Sequence, residues 1–192
     1  MISLDGVMQA PGGPEEDPSG DFAYGGWTAA YTDESFMPII NKELSVPFDL
    51  LLGRKTYQIF AAYWPKETGD IADPFNKAKK YVVSGKGTDL TWNESLLIDG
   101  DVAAKLKALK ESEGPMLQVH GSGKLIQTLL QNDLVDELRL RIFPVTLGPG
   151  KRLFAEGTIP AAFELLGSQA LPSGVILANY KRSGEVKTGT VA

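Results

Sequence analysis

The stretch Phe48-Asp49-Leu50-Leu51-Leu52-Gly53-Arg54-Lys55-Thr56-Tyr57 runs from an apolar segment, through one glycine, into polar residues with helical spacing. A short apolar run closed by glycine reads as a buried strand over residues 48–52. Residues 55–63 read as a short helix, which Trp64-Pro65 stops. Glycine at such a join carries no side chain to hold a ligand off the backbone. The first N–H groups of the following helix lack intrahelical partners, and its dipole favours a negative charge. Arg54 and Lys55 add charge-assisted donors, with arginine suited to gripping a phosphate by two bonds.

Two further joins share this pattern. Ser84-Gly85-Lys86-Gly87 follows a strand at 80–84, and Gly121-Ser122-Gly123-Lys124 lies between a strand at 116–120 and a helix at 124–132. A single glycine after a strand is usually just a tight connection. Three strand–glycine–helix joins in one chain, with basic residues beside glycine, point to a nucleotide pocket at the carboxyl ends of an open α/β sheet.

Outside these joins, Ile2-Ser3-Leu4 reads as the end of a short strand that turns at Asp5-Gly6. Residues 9–26 hold three prolines and five glycines, a long loop that is either a binding lid or a surface insertion. Thr32 or Asp33 caps a helix carrying Phe36, Ile39, Ile40 and Leu44, and Asp101 caps another over 102–111. Strands follow at 138–145, 163–166 and 174–180. Strands alternating with helices, then strands in succession, predict an α/β fold of three layers. It has a mixed, mostly parallel central sheet with helices on both faces. Residues 1–182 form one domain in this reading, and 183–192 a polar tail.

Composition removes several classes of function. The 192 residues are 43% hydrophobic and 22% charged, as in ordinary globular proteins. A net charge of −5 speaks against nucleic acid as a partner. With no cysteine and the single His120, thiolate chemistry and a multi-histidine metal site are excluded. No apolar run approaches the roughly 20 residues that span a bilayer, and no signal peptide is visible, so the expectation is a cytoplasmic protein without membrane partners. Gly123-Lys124 is not a P-loop, because Leu125 stands where Ser or Thr should follow and Gln118 where the first glycine should be. Gly150-Lys151-Arg152 fails in the same way.

Taken together, Ser3-Leu4-Asp5-Gly6, the Gly53-Arg54-Lys55-Thr56-Tyr57 turn and Tyr81-Val82-Val83-Ser84 resemble dihydrofolate-reductase-like proteins. The stretches Val119-His120-Gly121-Ser122-Gly123, Leu134-Val135-Asp136-Glu137-Leu138 and Leu147-Gly148-Pro149-Gly150-Lys151-Arg152-Leu153-Phe154 are similar to the reductase domain of the bifunctional riboflavin-biosynthesis deaminase-reductase. The resemblance implies NADPH as cofactor. Gly53, Arg54, Lys55 and Thr56 would hold its phosphates, Ser84 and Lys86 its adenosine 2′-phosphate, and Gly121, Ser122 and Gly123 would pass beneath the pyrophosphate. It also implies a homodimer and hydride transfer to a small heterocyclic or carbonyl substrate. That activity would be like the phosphoribosylaminouracil reductase of riboflavin biosynthesis or dihydrofolate reductase.

Two departures from the family stand out. The arginine that grips folate is replaced near Ala78, and the deaminase half of the riboflavin enzyme is missing. Asp5 and Asp33 are the candidate catalytic carboxylates, each with a plain alternative as a turn or helix-end acid. Tyr57 and Trp64 are candidate substrate-facing aromatics, with a core role as the alternative. The reading from another class is a nucleotide-binding or regulatory protein that keeps the cofactor fold without turnover.

Overall fold

A computed structural model describes residues 1–155 and 158–191. In chain order the elements are β1 (Ile2–Ser3), α1 (Phe36–Leu44), β2 (Phe48–Gly53), α2 (Arg54–Tyr63), α3 (Ala72–Lys77), β3 (Lys80–Val83) and β4 (Ser95–Ile98). They continue with α4 (Val102–Glu111), β5 (Met116–Gln118), α5 (Gly123–Gln131), β6 (Glu137–Phe143), β7 (Ala162–Ala170) and β8 (Ile176–Gly184). Two compact units result. One spans Asp33–Thr128, and the other combines Met1–Thr32 with Leu129–Ala192.

The Asp33–Thr128 unit is built on a fully parallel sheet in the order β4-β3-β2-β5. Parallel strands are covered on both faces and read as continuous apolar runs. Leu50, Leu51 and Leu52 of β2 accordingly lie at 0, 3 and 0% exposure. The order also sets the site. From β2 the chain moves outward to β3 and β4, then returns to pair β5 along the other edge of β2. The direction of winding therefore reverses between β2 and β5, and it is outside the carboxyl ends of two such strands that open α/β sheets bind ligands.

The other unit is mixed, in the order β1-β6-β8-β7. β1 runs parallel to β6, whereas β6, β8 and β7 form antiparallel ladders. Its Phe143 is fully buried, with the rings of Trp27 and Tyr31 edge-on at 5.3 and 6.1 Å. Val7, Ala10, Phe22 and Leu147 form a neighbouring core cluster.

The long loop at residues 9–26 is packed by its own side chains. Gln9, 4% exposed, donates to the carbonyls of Asp17 and Ser19 at 2.9 and 2.8 Å and accepts from Lys151 N at 3.0 Å. Lys151 Nζ closes the same ring onto Asp17 and Ser19. Buried Phe22 anchors the loop to the core.

Four expectations are corrected. α1 begins at Phe36 with Ser35 at its N-cap, because the Asp33 carboxylate bonds Ser35 in a turn that delays the helix. The turn after β3 leads into β4, not into a helix, so only two of the three glycine joins open helices. Helix α3 and strand β4 add to the elements expected from the sequence. Strand β8 extends to Gly184, past the predicted start of the tail. Among the described residues no helix is long and apolar enough to cross a membrane.

Candidate nucleotide-binding site

Gly53 ends β2 and caps α2 with no side chain to bond the first-turn N–H groups of that helix. The residues that follow it, Arg54 and Lys55, are exposed. Next to this join, at the end of β5, the backbone makes two successive left-handed residues, Gly121 at φ +55 and Ser122 at φ +57, before α5 begins at Gly123. Glycine suits the first: its φ strains an L side chain, and a Cβ there would stand 3.1 Å from Thr56 Oγ1. Ser122 accepts left-handed geometry at a cost of about 1 kcal/mol, and hydrogen bonds from both its backbone and its side chain offset that cost.

Those bonds join the two helix starts. Gly53 N donates to Ser122 Oγ at 2.9 Å, and Ser122 N donates to Thr56 Oγ1 at 2.9 Å. Ser122 Oγ in turn donates to the His120 carbonyl at 3.0 Å. The His120 ring packs against Phe75 and Phe60, at 5.1 and 6.5 Å, and meets the Gln118 amide oxygen at 3.0 Å. Thr56, expected among the residues that hold the phosphates, accepts the Ser122 amide on its hydroxyl oxygen. Exposed Lys124 adds another cation in the first turn of α5. In a chain of net charge −5, this end of the sheet gathers Arg54, Lys55 and Lys124 around two helix N-termini. Such an arrangement of donors and positive charge suits an anion.

Along the sheet, Ser84 and Lys86 occupy the turn after β3. The Thr88 hydroxyl donates to the Gly85 carbonyl at 3.0 Å, which makes Ser84 the donor in the 2.6 Å Ser84–Thr88 contact. Lys86 is exposed. The acid that feels its charge is Asp99, held below the usual carboxylate range first by its 2.9 Å bond to Lys105 and more weakly by Lys86.

The aromatic candidates separate. Tyr57 is 1% exposed and its hydroxyl accepts from Trp92 N at 2.9 Å, so it is a core residue and lines no open surface. Trp64 is half-buried, edge-on to Phe75, Phe60 and Tyr63 at 5.1, 6.0 and 4.9 Å. Helical spacing identified the aromatic stripe, but not which of its members faced the core.

The two candidate catalytic carboxylates are both engaged in turns. Asp33 bonds the amide and hydroxyl of Ser35. Asp5 accepts from the Ser3 hydroxyl at 2.5 Å, from Leu147 N at 3.1 Å and from Gly148 N at 2.8 Å, with Arg152 at 3.5 Å. The Ser3 hydrogen bond, aided by the two amides, holds its pKa down at about 2. An acid so placed stays ionised at neutral pH. Its visible work is to pin the 147–152 turn.

The sign of that linkage is definite. With the folded pKa near 2 and an ordinary value of 3.8, Asp5 contributes stability at neutral pH that is lost as pH falls through that interval. Asp5→Asn is expected to lower the melting temperature at pH 7 and to converge on the parent protein near pH 2. Melting curves of the two proteins between pH 7 and pH 2 test this. A constant difference across the range would remove Asp5 from the role.

Comparison with known proteins agrees with this architecture. Among solved structures, a Shewanella sp. PV-4 protein named for riboflavin biosynthesis superposes with a TM-score of 0.65 at 22% identity, covering 95% of each chain. Dihydrofolate reductase from Enterococcus faecalis, solved with NADP(H) and RAB-propyl, superposes at 0.59 and 14% identity over 94% of this chain and 92% of its own. The fold is thus the dihydrofolate-reductase-like α/β fold. In sequence, the uncharacterized Bacillus subtilis (strain 168) protein YyaP is 26% identical over 188 residues, 95% of this chain and 92% of its own. The model of the RibD C-terminal domain matches residues 1–177, and the chain belongs to that reductase-like family.

Proposed function

We propose that the protein is an NADPH-dependent reductase that transfers hydride to a small heterocyclic or carbonyl substrate. The observation that carries this reading is the pair of glycine-opened helix starts at the ends of β2 and β5. They flank the point where the strand order reverses, and Ser122 bonds them together. A dinucleotide's diphosphate is the ligand that two adjacent helix N-termini with flanking Arg54, Lys55 and Lys124 are suited to hold.

The donor set fits the cofactor. Arg54 and Lys55 would grip its phosphates, Ser84 and Lys86 would meet a 2′-phosphate, and the Gly121-Ser122-Gly123 backbone would lie beneath the diphosphate. The reduced nicotinamide, when bound, supplies the hydride. This chain's residues supply orientation and positive potential. With Asp5 held ionised, the proton that completes the two-electron reduction comes from water.

The experiment is a titration of the protein with NADPH and NADH, followed by a turnover screen that begins with pterins and riboflavin precursors. Arg54→Ala is expected to weaken NADPH binding at least tenfold, as loss of a charge-assisted bidentate contact should. Unchanged affinity in that variant would remove the phosphate assignment. The engagement of both Asp5 and Asp33 in turns favours a second reading, a nucleotide-binding protein without turnover. Tight NADPH binding with no oxidation across the screen selects it.

A further inference from the structure

Interlocked hydrogen bonds join the two helix starts. Ser122 N reaches across to Thr56 Oγ1, while Gly53 N, one residue before α2, reaches back to Ser122 Oγ. The two bonds run in opposite directions between the same pair of segments, a clasp that fixes the offset of one helix start against the other. Its third bond, from Ser122 Oγ to the His120 carbonyl, ties the clasp to the end of β5. Ser122 occupies a left-handed conformation in order to do this, and the absent Cβ of Gly121 leaves room for the Thr56 side chain.

We infer that Thr56 and Ser122 are positioning residues: their reciprocal bonds set the register of the N-termini of α2 and α5, so that both address one diphosphate. This rests on the cofactor reading above and adds to it a division of labour. Arg54 and Lys55 supply charge, whereas Thr56 and Ser122 act through the backbone that their hydroxyl oxygens hold. A register shared by both helix starts affects only what NADPH and NADH have in common. Loss of the clasp therefore weakens both cofactors by the same factor and leaves their ratio unchanged. A change at Ser84 or Lys86, beside the group that distinguishes them, alters the ratio.

The test is titration of Thr56→Val, Thr56→Ser and Ser122→Ala with NADPH and NADH, with Arg54→Ala alongside. Valine keeps the shape of threonine and removes the acceptor, and serine restores the acceptor. Thr56→Val and Ser122→Ala are expected to lose roughly tenfold in affinity for both cofactors, the scale of one or two partly buried hydrogen bonds. Thr56→Ser is expected to recover most of the loss. If Thr56→Val binds like the parent while Arg54→Ala is weakened, the clasp inference is overturned and the cofactor reading stands. A changed NADPH-to-NADH ratio in Thr56→Val also overturns it. Absence of NADPH binding by the parent removes both together. Should Thr56→Val not fold, amide exchange of Gly53 and Ser122 in the parent decides. Slower exchange at both on adding NADPH supports the clasp, and unchanged exchange refutes it.

Discussion

Gly150→Ala is expected to destabilise the protein by about 3 kcal/mol, against a total stability on the order of 5–15 kcal/mol for a folded domain. Two terms add. Gly150 has φ +128, where an L side chain is strained by about 1–2 kcal/mol. A Cβ there would also fall 2.7 Å from Val7 Cγ1 and 2.9 Å from Phe22 Cε2. Val7 is 0% exposed and Phe22 5% exposed, so neither can swing aside into solvent, and overpacking a core contact costs about 1–3 kcal/mol. Gly20 provides the control. Its φ is +72, but a Cβ there meets nothing within 4 Å, so Gly20→Ala carries the conformational term alone. Thermal unfolding should place Gly150→Ala roughly 10 °C below the parent, with Gly20→Ala losing about a third as much. Equal losses would mean that the contact with Val7 and Phe22 contributes nothing.

That glycine sits in the Gly148-Pro149-Gly150-Lys151-Arg152 stretch, which the sequence presented as a failed P-loop and a family resemblance. Its structural purpose emerges only once Lys151 is seen bonding Asp17 and Ser19, and Asp5 bonding the amides of Leu147 and Gly148. These partners are over a hundred residues apart in the chain, beyond the reach of any local pattern. The cofactor turns were legible for the opposite reason. Strand, glycine and helix start are contiguous at Gly53 and again at Gly121–Gly123, so the chemistry of an unpaired helix N-terminus can be read from neighbouring residues. The reciprocal bonds between Thr56 and Ser122 lie between those two motifs, and neither motif by itself announces them.

Local patterns misled where two local solutions compete. Asp33 is a good helix cap by residue type, yet its carboxylate is captured by Ser35 and the helix waits until Phe36. Helix α3 has six residues, with Pro74 inside its first turns, too short for a period of 3.6 to register. Strand β4, Ser95-Leu96-Leu97-Ile98, has Leu96 and Leu97 exposed and shows no alternation; its identity comes from its partner β3. Tyr57 belonged to a visible aromatic stripe, but whether such a residue faces a ligand or the core is set by what packs above it, here Trp92.

The same packing produces the second large effect, at Lys80. This lysine is 0% exposed, its Nζ bonded to the Asn76 carbonyl at 2.8 Å and set 4.2 Å above the ring of Trp92. Burial lowers its pKa from 10.5 to about 8, against the attraction of Glu94 and Asp49. At 1.36 kcal/mol per pKa unit, holding the ammonium in this site costs about 3 kcal/mol at neutral pH. Because the folded pKa lies below the unfolded one, the unfolded chain binds the proton more tightly between those values. The cost is therefore complete below pH 8 and fades as pH rises toward 10.5. Lys80→Met keeps the length of the side chain and removes the charge, and the Asn76 carbonyl retains the Asn93 amide at 3.1 Å. Lost contacts with Trp92 and Asn76 offset part of the gain, so the variant is expected to be about 1–2 kcal/mol more stable than the parent at pH 7. The difference should shrink steadily from pH 8 to pH 10. Denaturant unfolding of both proteins at several pH values measures it directly. A variant less stable than the parent at pH 7, with a gap that does not vary with pH, would mean that the cation is held by Trp92, Glu94 and Asp49 more strongly than burial opposes it.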